Sequence, residues 1–139
     1  MIGFLAAGVA VMLLDQWSKQ VAASRLSNRS VALGRVVQLR HVENKRAIYS
    51  HVGFRAILVL IWLIALVSAV VLHRSDVRFQ NAVSMLGLGA ALGGAAGNLA
   101  DIIRHGGVTD FIDFGWWPAF NVADVAILAG LAIALWPTV

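Results

Sequence analysis

Four apolar segments dominate this chain and leave few folds open to it. They run from about Ile2 to Val21, from about Ala56 to Leu72, from roughly Phe79 to Ile103, and from Pro118 or Phe120 to the C-terminus. A helix needs about 20 apolar residues to cross a hydrocarbon core, with a range of about 17–25, and all four segments suit that range. Apolar residues are 60% of the chain and charged residues 13%. A soluble domain carries about 25% charged residues. The expectation is therefore an all-α membrane protein: four transmembrane helices in a single domain spanning residues 1–139, with a small β-containing extramembrane loop between the first two helices. The apolar start lacks Lys or Arg before the run, and Asp15 interrupts its end, so a retained helix is expected there rather than a cleaved signal peptide.

The connections carry their own signals. Residues 22–55 are polar, and Val31 to Val42 is β-branched and partly alternating, which predicts short strands at the membrane surface. His73 to Arg78 is a short turn, and Arg104 to Trp117 joins the third and fourth segments, with Trp116 and Trp117 as interfacial anchors. Pro118 suits a helix start. Glycines 87, 89, 93, 94 and 97 allow close packing in the third helix.

The absence of cysteine excludes disulfides, a thiol nucleophile and thiolate metal sites. His41, His51, His73 and His105 lack ligand spacing, so no metal and no cofactor is expected. Ser18 and Ser50 lack the flanking pattern of a nucleophile elbow. The net charge of +4 suits an anionic lipid surface, and nothing suggests nucleic acid.

The chemistry must then come from carboxylates and amides. Asp110 and Asp124 are separated by thirteen intervening residues, too many for one helix face but within reach of a connection that returns to the fourth helix. A carboxylate about a turn inside an apolar helix costs about 2–3 kcal/mol on insertion scales unless it is paired, solvated or protonated. Two facing one cavity would share a proton, as a water-activating acid–base pair requires. Asn121 lies at i−3 from Asp124 and can line the same cavity. Asn98 and Asp101 are one turn apart, either on a cavity or facing water at a helix end. Asp15 and Lys19 at i, i+4 form either a buried ion pair or a pair snorkelling to the interface. Asp113 reads as a solvated loop carboxylate.

Together, Asp15-Gln-Trp-Ser-Lys19, Gly94-Ala-Ala-Gly-Asn-Leu-Ala-Asp101, Gly107-Val-Thr-Asp-Phe-Ile-Asp-Phe114 and Pro118-Ala-Phe-Asn-Val-Ala-Asp-Val-Ala-Ile127 resemble the lipoprotein signal peptidase (signal peptidase II) family. The resemblance implies an aspartyl endopeptidase of the bacterial inner membrane, cutting diacylglyceryl-modified prolipoproteins before the lipidated Cys. It places Asp110 and Asp124 on the catalytic pair. Asn98, Asp101 and Asn121 fall on supporting positions, Asp15 and Lys19 on the first-helix motif, and Asn44 in the first-loop motif.

It also implies a periplasmic first loop and active site, although eight of the eleven Lys and Arg lie between Lys19 and Arg55, where a positive-inside count favours the cytoplasm. Arginines engaged with lipid phosphates would reconcile the two. Three departures stand out. Ile102 replaces an Arg; Asn44-Lys-Arg-Ala-Ile-Tyr49 has Arg46 for Gly and Tyr49 for Phe; and Trp136-Pro-Thr-Val139 stands where a basic tail is usual. They leave a rival from another class, a non-catalytic paralogue acting as a subunit of a membrane complex. The joint retention of Asp110, Asp124, Asn98, Asp101 and Asn121 favours the enzyme.

Overall fold

The computed structural model describes residues 1–27, 29–46, 49, 51–75 and 81–136. Its elements are α1 (Ile2–Leu26), β1 (Val31–Leu33), β2 (Val37–Asn44), α2 (Val52–Ser75), α3 (Ala82–His105), β3 (Val108–Asp113) and α4 (Val122–Leu135). The expected surface strands are present as β1 and β2. The short turn expected at 73–78 falls partly outside the described residues, as does Phe79.

Helix α3 is central, with α1 and α4 packed along it and α2 touching it more sparsely. Glycine makes this possible. A Cβ on Gly93 would run into the backbone of Gly8, and one on Gly89 into the backbone of Phe4, so α1 and α3 approach at the distance of their main chains. Asn81 caps α3 by accepting the Ser84 N–H at 2.7 Å, and Gly106 ends the helix in the left-handed region at φ 71.

Among the described residues, α2 and α3 are the two helices that are long and apolar enough to cross a membrane. Helix α4 is apolar but has 14 residues, about 21 Å of rise. Ala69 is the one described residue of α2 that is buried, while Leu60, Ile64, Val67 and Val71 lie exposed along it. An apolar surface of that extent suits a lipid environment and not water.

Two details differ from the sequence reading. The stretch after α3 is a strand, because β3 pairs with β2 and completes an antiparallel sheet ordered β1-β2-β3. Helix α4 begins at Val122, four residues beyond Pro118, with Asn121 as its N-cap. The side-chain cap overrides the proline signal, because Phe120 is held in an extended bridge to Ile112.

Candidate active site

That bridge brings distant residues together. Phe120 N–H donates to the Ile112 carbonyl at 3.0 Å, and Ile112 N–H donates to the Phe120 carbonyl at 2.9 Å. The chain from 113 to 119 thus doubles back, and α4 starts beside β3. Asn121 and Asp124 then form a reciprocal capping box: the Asp124 N–H donates to the Asn121 side chain at 3.0 Å, and the Asn121 N–H donates to the Asp124 carboxylate at 3.1 Å. Asp124 is therefore in the first turn of α4, not a turn deep. Its charge sits where unpaired amides and the helix dipole favour an anion.

Asp110 occupies β3 opposite Val42 and is 4% exposed. Its two oxygens accept from the side-chain amides of Asn121, at 2.8 Å, and Asn44. Asp124 accepts from the Asn98 amide at 2.8 Å as well as from the Asn121 backbone. Four donors thus meet four carboxylate oxygens, and Asn121 serves both acids. Among the described residues neither acid forms a salt bridge. Burial is the main influence on Asp110, and the nearby Asp124 charge adds to it. These outweigh the opposing hydrogen bonds from Asn44 and Asn121 and push its carboxyl up to about 6.

A second polar cluster lies against the first. Lys19 pairs with Asp15 at 2.8 Å and with Asp101 at 2.9 Å, all three side chains being 5% exposed or less. The snorkelling alternative for Asp15 and Lys19 is thereby overturned: partners within reach make burial cheaper than extension to the interface. Gly97 admits this arrangement, since a Cβ there would collide with the Asp15 carboxylate. Lys19 also donates to the Asn98 side-chain oxygen at 2.8 Å. Lysine can only donate, so this bond turns the Asn98 NH2 toward Asp124.

The two acids of this cluster each hold a backbone amide. Asp15 accepts the Ala123 N–H at 3.0 Å, and Asp101 accepts the Thr109 N–H at 3.2 Å. Ala123 immediately precedes Asp124, and Thr109 immediately precedes Asp110. The cation-bound acids thus fix the main chain one residue before each of the cation-free acids.

Asp15, Lys19, Asn44, Asn98, Asp101, Asp110, Asn121 and Asp124 thus lie in one connected hydrogen-bond network. Gln16, absent from the residues the sequence singles out, donates to Asp101 at 3.0 Å and to the Gly97 carbonyl at 3.2 Å; its place between Asp15 and Lys19 on α1 is the available signal. Asp113 is not a solvated loop residue. It closes β3, is 10% exposed, and accepts from Arg40 and from the Gly115 N–H at 2.7 Å. Those bonds hold its carboxyl below the usual range, the Gly115 amide foremost. Ile102 is buried beside the α2 groove, while Arg104 donates to the Gln16 side-chain oxygen at 3.3 Å.

Helices exposing apolar faces around a buried carboxylate and amide core define a helical membrane protein with a polar centre. The fold matches a solved bacterial membrane enzyme with a TM-score of 0.78 at 24% identity, covering 97% of this chain and 94% of that one. Residues 7–139 match the family described as Signal peptidase (SPase) II, and the chain belongs to that peptidase family. It is 32% identical over 136 residues to the lipoprotein signal peptidase of Pelotomaculum thermopropionicum, covering 96% of this chain and 90% of that protein. To the lipoprotein signal peptidase of Syntrophomonas wolfei it is 37% identical over 123 residues, covering 86% and 81%.

Proposed function

We propose that this chain is an aspartyl endopeptidase that removes signal peptides from diacylglyceryl-modified prolipoproteins, cutting on the N-terminal side of the lipidated Cys. The observation that carries the reading is the Asp110–Asn121–Asp124 bridge: one residue donates to both acids, its side-chain amide to Asp110 and its backbone N–H to Asp124, and among the described residues neither acid has a salt bridge. Like charges so placed resist double ionisation, which favours one shared proton. The proton belongs on Asp110, the more deeply buried acid, which leaves Asp124, in the first turn of α4, the role of base.

In that state Asp124 takes a proton from water as its oxygen attacks the scissile carbonyl carbon, and Asp110 gives its proton to the carbonyl oxygen. The resulting gem-diol collapses when Asp124 returns its proton to the departing amide nitrogen and a diol proton goes back to Asp110. The C–N bond breaks and both acids regain their starting state. A groove of about 290 Å3 between α2, α3 and α4 includes Asn98 and is lined by Leu58, Ile61, Trp62, Ile102 and Ile127. It offers the acyl chains of the substrate an apolar route to the acids. Membrane lipids are the other partners; the setting is the bacterial inner membrane, with four spans, both termini cytoplasmic and the acids facing the periplasm.

The test uses purified protein and a precursor prepared with and without its diacylglyceryl group. Cleavage of the lipidated form alone, dependent on Asp124, is expected; efficient cleavage of the bare form rejects the substrate class. The subunit reading, favoured by Ile102, Arg46 and Tyr49, predicts no rescue of a strain lacking its own lipoprotein signal peptidase, together with stoichiometric co-purification in a complex. A periplasmic signal from a reporter fused after Val139 would overturn the orientation.

A further inference from the structure

On the sheet side of α1 lies a groove of about 400 Å3, formed between the C-terminal half of that helix and the sheet. Trp17 and Leu26 line it from α1, Leu39 from β2 and Phe111 from β3. Arg25 and Arg29 line it as well, and none of its lining residues is acidic. The Arg29 Nε donates to the Arg25 backbone carbonyl at 2.9 Å, which draws the Arg29 guanidinium back to the end of α1. Among the described residues neither arginine forms a salt bridge. Trp17 is 63% exposed, an amphipathic ring of the kind that settles at headgroup level.

Apolar walls with two cations at one end suit an amphiphile whose anion sits at that end. We propose that this groove binds one anionic phospholipid, its phosphate held by Arg25 and Arg29 and an acyl chain lying on Trp17, Leu26, Leu39 and Phe111. Paired guanidiniums match phosphate geometry, and the end of a 25-residue helix is where headgroups are expected. The site is separate from the groove beside Asn98, since the two share no lining residue. It nevertheless touches the catalytic strand: successive strand residues face opposite sides, so Phe111 meets the lipid while Asp110 meets Asn121. Occupancy stiffens the strand that carries Asp110.

Native mass spectrometry of the detergent-purified full chain, titrated with phosphatidylglycerol or phosphatidylcholine, tests this. The wild type is expected to retain one phosphatidylglycerol about tenfold or more tightly than phosphatidylcholine, in line with two cations at an anionic headgroup. The Arg25→Gln/Arg29→Gln variant should lose that preference, and an Arg74→Gln control should keep it. Hydrogen exchange across β3 should slow with phosphatidylglycerol in the wild type only. Equal retention of the two lipids by the wild type, or an unchanged preference in the double variant, overturns the proposal.

Discussion

Two pairs of acids share the polar centre of this protein and live under different rules. Asp15 and Asp101 are joined by Lys19, whereas Asp110 and Asp124 are joined by asparagines. A buried cation between two carboxylates balances their charge and satisfies their oxygens. Amides donate hydrogen bonds without cancelling charge, so the second pair keeps its mutual repulsion and with it a use for a proton. The first pair can therefore clamp, through the amides of Ala123 and Thr109, and the second can react. Neighbouring carboxylates in one low-dielectric core are told apart by what stands between them.

The comparison breaks first on turnover. Asp110→Asn and Asp124→Asn keep the shape of the site and remove the acid or the base, so cleavage should fall about 10⁴-fold or more with the fold retained by circular dichroism. Asp15→Asn should leave a folded enzyme with a far smaller kinetic defect. An equal collapse of kcat in Asp15→Asn at wild-type melting temperature would show that both pairs belong to the chemistry.

The next effect reverses the ranking. Lys19→Met strands two buried carboxylates, and loss of one partner from a buried ionic group costs about 3–5 kcal/mol. Its melting temperature should drop more than that of Asp110→Asn or Asp124→Asn. Neutralising Asp15 and Asp101 to Asn in the same chain should restore most of the loss, since the penalty lies in the uncompensated charge. A triple variant no more stable than Lys19→Met would mean that Lys19 packs rather than neutralises.

Much of this was legible beforehand, for physical reasons. Apolar runs of 17 residues or more have few destinations, so the helices and the lipid environment follow from composition. The candidate residues were visible because polar side chains in apolar surroundings stand out. Long-range pairing was not visible: β3 looks like a loop until β2 arrives to accept it, and the Phe120–Ile112 bridge moves the start of α4 past Pro118. Asp113 was misread for the same reason, since its partner Arg40 lies 73 residues away in sequence. The first-helix ambiguity was settled by Gly97, whose missing Cβ leaves room for Asp15.

Asn98 links the two pairs, accepting from Lys19 and donating to Asp124. A hydrogen bond to a charged group contributes about 1.5–3 kcal/mol, so Asn98→Ala should lower kcat by about 10- to 100-fold. KM should change less, because the amide bonds the acid and not the substrate. A defect confined to KM would place Asn98 in substrate binding instead.

Proton occupancy gives a smaller effect. Asp110 titrates near 6 in the fold against 3.8 for the ordinary group, so between those values the native state binds more protons than the unfolded one. Stability should then fall as pH rises from about 4 to above 6 and level off beyond. Asp110→Asn should lack this decline and, though inactive, outlast the wild type at pH 8. If the two stability profiles run parallel from pH 4 to 8, the proton does not reside on Asp110.

The smallest effect is expected at a third acid that has a cation yet stands outside the network. Arg40 is half exposed and pairs with Asp113 at the end of β3 away from Thr109, where water and salt screen the attraction. Arg40→Gln should leave kcat unchanged and lower the melting temperature only slightly. Because Asp113 is held below its ordinary range, chiefly by the Gly115 amide and then by Arg40, the pair contributes at neutral pH. Its contribution should fade as acid protonates the carboxylate, so the two melting curves should converge at low pH. A tenfold fall in kcat for Arg40→Gln would show that β3 is set in place from its Asp113 end, and the role given to Asp101 at Thr109 would have to be withdrawn.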